Sequence, residues 1–237
     1  MTKLLAATIL STVTATALFV AAPLTAKPAT AAKPAVAALS WDKKLSRSPA
    51  GNHVIGNPAA KVRLVEFMSY TCPHCAHYAH DSKVPLLSGP VRQGKVAIEV
   101  RPFFRNIIDV SASLLALCGS DSKFLGNHHA IMEAQANWLK APPEGAQQRW
   151  ATEDFGAKMK AVAQDMGLYS LMTARGYTPA QLDQCLADRT LADKLANQTN
   201  QAMEGGVNGT PSFMINGKLQ EAHEWKVLQP LLTAAIR

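Results

Sequence analysis

The sequence predicts an α/β protein: a small strand–helix–strand and hairpin domain split by roughly a hundred residues of helix. Three observations carry this. The apolar stretch KVRLVEFMSY (61–70) runs into Cys72-Pro73 and a helical segment, and KVAIEVRPFF (95–104) follows as a second strand. From about Asp109 to Glu204 the chain reads as helices. It then turns β again, with PSFMI and KLQE on either side of Asn216-Gly217, a strong short hairpin signal.

At the N-terminus, Lys3 precedes an uncharged apolar run, Leu4–Leu24, and then TAKPATAAKPAVAALS. This is the layout of a secretory signal, expected over residues 1–31 with cleavage near Ala31. An uncleaved anchor is the alternative, weakened by the threonines and Pro23 in the run. Residues 32–51, rich in Ala, Pro and Ser, read as a flexible linker. The first part of the α/β domain is expected over 52–104, the helical insertion over 105–204 and the second part over 205–237.

Pro73 suits the first turn of a helix continuing to about Leu87, with a kink at Pro85. Further on, SASLLALCGS closes at Gly119, and the next helical stretch lasts until Pro142-Pro143. Thr152 is expected to cap EDFGAKMKAVAQDM, and Thr178-Pro179 to open AQLDQCLA. Gly205-Gly206 ends the last helix of the block, and AHEWKVLQPLLTAAI is an amphipathic C-terminal helix.

The net charge of +7 falls to +5 when Lys3 and Lys27 leave with the signal. This is a diffuse basic balance. No Lys/Arg cluster carries aromatic partners, which argues against nucleic-acid binding. In an exported chain, four cysteines suggest two disulfides. Their spacing is uneven: Cys72 and Cys75 form a CxxC, while Cys118 and Cys185 stand alone. One working pair and one structural pair are expected, the second closing a 67-residue loop.

A CxxC after a strand and at a helix start has a physical rationale. Partial positive charge and free N–H groups there favour a thiolate. Cys72 should gain most of this and face solvent, whereas Cys75, one turn in, should be more buried. His74 between them can add charge or a hydrogen bond. Glu66, in an otherwise apolar strand, reads either as a buried proton relay for Cys75 or as an acid exposed at a strand edge.

EFMSYTCPHC together with the distant GVNGTPSFMINGK resembles the DsbA-like thiol:disulfide oxidoreductases of the thioredoxin superfamily, from about residue 53 to the end. The resemblance implies a thioredoxin fold with a large helical insertion, and membership of the subgroup with a second disulfide, here Cys118–Cys185, in the helical part. It implies a redox-active pair, Cys72 and Cys75, tuned by Pro73 and His74, with Glu66 as the acid near the resolving cysteine. Thr210 and Pro211 match the loop that holds a cis-proline against that pair and presents backbone groups to a bound peptide.

The implied activity is the introduction of disulfides into unfolded, Cys-containing proteins in the periplasm. No cofactor is needed beyond the redox disulfide, and a quinone-linked DsbB-like membrane oxidase would reoxidise it. The best-known DsbA oxidases carry valine where this chain has Thr210, a residue familiar from isomerases and reductases. The dimerising domain of exported isomerases is not seen between the leader and the first strand, which argues for a monomer.

Two other readings stay open. One is a reductase or isomerase with few clients. The other is a metal-binding or metal-delivery protein using Cys72, Cys75 and nearby histidines. No second CxxC or matching HxxxH supports zinc, and haem attachment would need His where Ala76 stands. His77 and His80 read as solvated, and the adjacent His128-His129 as a surface or partly packed pair.

Overall fold

The computed structural model describes residues 40–237. The expected signal, residues 1–31, and the linker as far as residue 39 lie outside the described residues. The rest of the linker is a correction. Trp41–Lys43 form a 3₁₀ turn, and β1 (Leu45–Arg47) pairs antiparallel with β2 (His53–Gly56). Gly51, at φ +83°, lets the chain reverse, with its N–H donating to Ser48 O at 2.7 Å.

β3 (Val62–Met68) and β4 (Val96–Pro102) run parallel. They join β5 (Ser212–Ile215) and β6 (Lys218–Gln220) in a six-stranded sheet of order β1-β2-β4-β3-β5-β6. The β5–β6 hairpin turns through Asn216 (φ +50°) and Gly217 (φ +82°), as their identities predict. β3 is central, bonded to β4 on one side and β5 on the other. Its alternate residues divide the core. Leu64 and Met68 join the main cluster with Cys75 and Tyr78, and Val65 and Phe67 pack on the opposite face with Phe103, Ala202 and Val207.

α1 (Pro73–Ser82) follows β3. At Lys83 it passes into a wider, π-helical segment, Lys83–Val91, whose break lies at Gly89 (φ −97°, ψ −110°) before Pro90 and not at Pro85, the expected kink. Between β4 and β5 come α2 (Ile107–Ala116), α3 (Phe124–Glu133), α4 (Gln135–Trp138), α5 (Ala146–Trp150), α6 (Phe155–Asp165), α7 (Leu168–Ala174), α8 (Pro179–Leu186) and α9 (Arg189–Glu204). α6 is capped by Asp154, whose Oδ1 accepts from Ala157 N, and not by Thr152. α8 opens with the Thr178–Gln181 capping box. Cys118 and Cys185 are bonded to each other, with Cα atoms 5.5 Å apart, linking the end of α2 to α8. α10 (Trp225–Ile236) buries Leu228 and Leu232 against the main core.

Candidate active site

β3 ends at Met68 and delivers Ser69–Thr71 to the start of α1, where Cys72 is the N-cap residue and Pro73 the first helical one. His74 and Cys75 therefore occupy the second and third positions, whose N–H groups a capping side chain normally accepts. A CxxC at this place puts one sulfur where a cap acceptor belongs. The Cys72 thiol is accordingly held down at about 5, from 9.0. The Cys75 thiol donating to it is the largest cause, Thr210 and the N–H groups of Cys75 and His74 add to it, and burial opposes it. Cys75 moves the other way: burial pushes its thiol well up, and the neighbouring Cys72 and the Glu66 charge push it further.

Both cysteines are free thiols. The expected exposure of Cys72 is corrected: it is 3% exposed and Cys75 not at all. What covers the sulfur is the loop before β5. Thr210-Pro211 is cis, and Cys72 Sγ donates to the Thr210 carbonyl at 3.1 Å. The Thr210 hydroxyl is buried with no hydrogen-bond partner among the described residues, free to donate to the sulfur once it ionises. His74 is exposed, and what it contributes to the Cys72 thiolate is its backbone N–H.

Glu66 is in register with Val100 on one side and Phe213 on the other, so it lies in a central strand and not at an edge. It shares the face of Leu64 and Met68, borders a cavity of about 40 Å³ with Tyr78, Ser82 and His128, and is 6% exposed. Burial alone raises its carboxyl from 4.5 to about 8, so it carries a proton at neutral pH.

The residues that hold the turn into α1 were not legible in the sequence. Asp109, near the start of α2 and 1% exposed, accepts from Thr71 N at 2.9 Å, Thr71 Oγ1 at 3.0 Å, Arg105 N at 2.9 Å and Ser69 Oγ at 2.8 Å. Gln135 Nε2, on α4, donates to Tyr70 O at 2.8 Å and to Cys72 O at 3.0 Å. Of the pair expected at the surface or partly packed, His129 is partly buried and His128 fully so, its Nδ1 standing 3.0 Å from Tyr70 Oη. His77 and His80 are exposed on α1. Among the described residues no group of three or more His, Cys, Asp or Glu side chains is placed to hold a metal ion, so Cys72, Cys75 and the nearby histidines do not form the ligand cluster of the metal reading.

The family model for thioredoxin matches residues 48–234. A crystal structure of protein-disulfide isomerase from Novosphingobium aromaticivorans is similar, with 44% identity, TM-score 0.73 and coverage of 78% of this chain and 96% of that one. The Wolbachia pipientis α-DsbA1 structure, 18% identical with TM-score 0.60, covers 77% of this chain and 89% of its own and shares the fold. A protein of Rickettsia bellii provisionally named a protein-disulfide oxidoreductase is 30% identical over 186 residues, 77% of this chain. The chain spans 64% of that relative's length and 54% of its Rickettsia typhi counterpart's.

Proposed function

The chain belongs to the thioredoxin family, and on that premise we propose that it is an exported thiol:disulfide oxidoreductase whose Cys72–Cys75 pair introduces disulfides into unfolded proteins. The observation that carries this is the split between the two thiols, one at about 5 and the other well above 9.0, under the Thr210 carbonyl.

In the oxidised enzyme, a client thiolate attacks Cys72 Sγ, the Cys72–Cys75 bond breaks, and Cys75 leaves. Because Cys75 is a poor thiolate, its departure needs a proton, and protonated Glu66 on the same core face is the group that supplies it. A second client thiolate then attacks the client sulfur of the mixed disulfide. Cys72 leaves as a stable thiolate, so two client thiols have become a disulfide and the enzyme pair holds the two electrons. A membrane oxidase of the DsbB-like, quinone-linked kind would take them away. Export rests on the N-terminal sequence, and the periplasm is the compartment that fits such chemistry.

A glutathione redox titration of the purified protein, with Cys72→Ala as control, tests the direction. A potential well above thioredoxin's, about −270 mV, supports the oxidase. A value near it sinks that reading.

A second reading, disulfide isomerisation, is favoured by Thr210 and by the isomerase description of the Novosphingobium structure. Reactivation of scrambled ribonuclease faster than oxidation of reduced ribonuclease would establish it.

A further inference from the structure

Three consecutive carbonyls in the loop before β5 each have a separate donor. Ser212 Oγ donates to Gly209 O at 2.8 Å, Cys72 Sγ to Thr210 O at 3.1 Å, and His223 Nδ1 stands 2.8 Å from Pro211 O. A carbonyl can only accept, so Nδ1 carries the proton and the tautomer of the neutral ring is fixed. His223 comes from the segment between β6 and α10. The β5–β6 ladder reaches only to Phe213 opposite Gln220, and beyond it the imidazole stands in for a backbone donor. Gly209, Ser212, Leu219, Gln220 and His223 border one open cleft of about 630 Å³ beside this loop.

The three bonds differ in what happens to them during redox chemistry. Cys72 loses its S–H when it ionises or joins the disulfide, and the Thr210 carbonyl then loses its donor. The Gly209 and Pro211 carbonyls keep theirs, because neither Ser212 nor His223 takes part in the electron transfer.

We propose that His223 is a positioning residue for client binding. By holding the Pro211 carbonyl it leaves that of Thr210 as the one acceptor of the three without a donor once Cys72 is in the disulfide, open to the backbone N–H of an extended client segment. The proposal rests on the redox reading above. Without the imidazole, the Pro211 carbonyl is released, and the loop must be ordered when the client arrives. The loss therefore falls on KM and not on kcat.

The test compares wild type, His223→Leu and His223→Asn, whose amide nitrogen occupies the δ position, in oxidising a fluorogenic two-cysteine peptide. KM should rise about fivefold in the leucine variant, the worth of one ordinary hydrogen bond, with kcat and the Cys72 titration unchanged and with most of the loss recovered by asparagine. In ¹⁵N spectra of the wild type, Nδ1 of His223 should be the protonated nitrogen. An unchanged KM, a rise that asparagine does not recover, or a proton on Nε2 alone overturns the assignment. If wild type cannot oxidise the peptide, the redox reading falls separately. The tautomer, and the Kd of the same peptide for Cys72→Ser protein with and without His223→Leu, still decide the role of His223: an equal Kd in the two overturns it.

Discussion

Replacing Cys75 with alanine removes the largest of the causes that bring the Cys72 thiol from 9.0 to about 5. A hydrogen bond to a charged acceptor is worth about 1.5–3 kcal/mol, and one pH unit corresponds to about 1.4 kcal/mol. Cys72 in the variant should therefore titrate roughly one to two units higher. It stays below 9.0 because Thr210 and the N–H groups of His74 and Cys75 remain. The depressed Cys72 thiol also stabilises the reduced protein. The folded value lies below the unfolded one, so the contribution is complete above pH 9, shrinks as pH falls, and is gone below about 5. At pH 7 it amounts to ~3 kcal/mol in wild type and about 1 kcal/mol in Cys75→Ala. Through the two-electron couple, ~3 kcal/mol is roughly 60 mV toward oxidising power. Thiolate absorbance at 240 nm against pH gives both titrations, and urea unfolding of the reduced proteins at pH 7 and pH 4.5 gives the stabilities. A wild-type Cys72 that titrates near 9, or a Cys75→Ala titration identical to wild type, refutes the reasoning.

Glu66 has a folded value of about 8 against 4.5 unfolded, so its stability contribution is whole below pH 4.5 and falls as pH rises toward 8. Glu66→Gln should exceed wild type by ~3 kcal/mol at pH 7 and match it at pH 4.5, while rapid-quench reduction of the Cys72–Cys75 disulfide slows about a hundredfold. His53 and His128 are held neutral by burial, at about 4 and about 3 from 6.5, so their contribution is intact above pH 6.5 and lost below it. In oxidised Glu66→Gln protein, where neither Cys72 nor Glu66 titrates, each should cost about 2 kcal/mol at pH 5, and a urea midpoint that stays flat from pH 7 to 5 contradicts this. Gln135→Leu leaves the Tyr70 carbonyl without the Gln135 amide, whereas Cys72 O still accepts from Cys75 N and Ala76 N. The expected loss is about 1–3 kcal/mol in urea unfolding, and an unchanged midpoint would show that water replaces the amide.

What the sequence made legible was local. Asn216-Gly217 turns a hairpin because both positions need φ above zero. Pro73 marks a helix start because its missing N–H costs nothing there, and that start explains why Cys72 and Cys75 differ. β1 and β2 escaped because strands of three and four residues show no period of their own; β2 draws its pairing from β4, and β1 from β2. The supports of the site escaped for a related reason. Asp109, Gln135 and His223 bond to residues 38, 65 and 12 positions away, and nothing beside them in sequence signals a partner. His128 and His129 are neighbours in sequence, yet the first enters the core beside Tyr70, because adjacent helical positions point about 100° apart.

Thr210 is the residue whose identity sets the oxidase and isomerase readings against each other, and its two polar groups act on different states of Cys72. The carbonyl accepts from the thiol and so favours the protonated sulfur. The hydroxyl, buried and without a partner among the described residues, can donate to the sulfur once it ionises. A valine would keep the first interaction and lose the second. The threonine therefore adds to the helix start in favouring the Cys72 thiolate, and a more stable thiolate makes the disulfide easier to reduce and the pair more oxidising. The same hydroxyl can hold the sulfur of a client joined to Cys72, which slows release and gives time for a wrong disulfide to be exchanged. Oxidising power and a long-lived mixed disulfide are thus compatible at this site. The potential and the lifetime of the Cys72–client complex must be measured separately, because Thr210→Val is expected to lower the first and shorten the second.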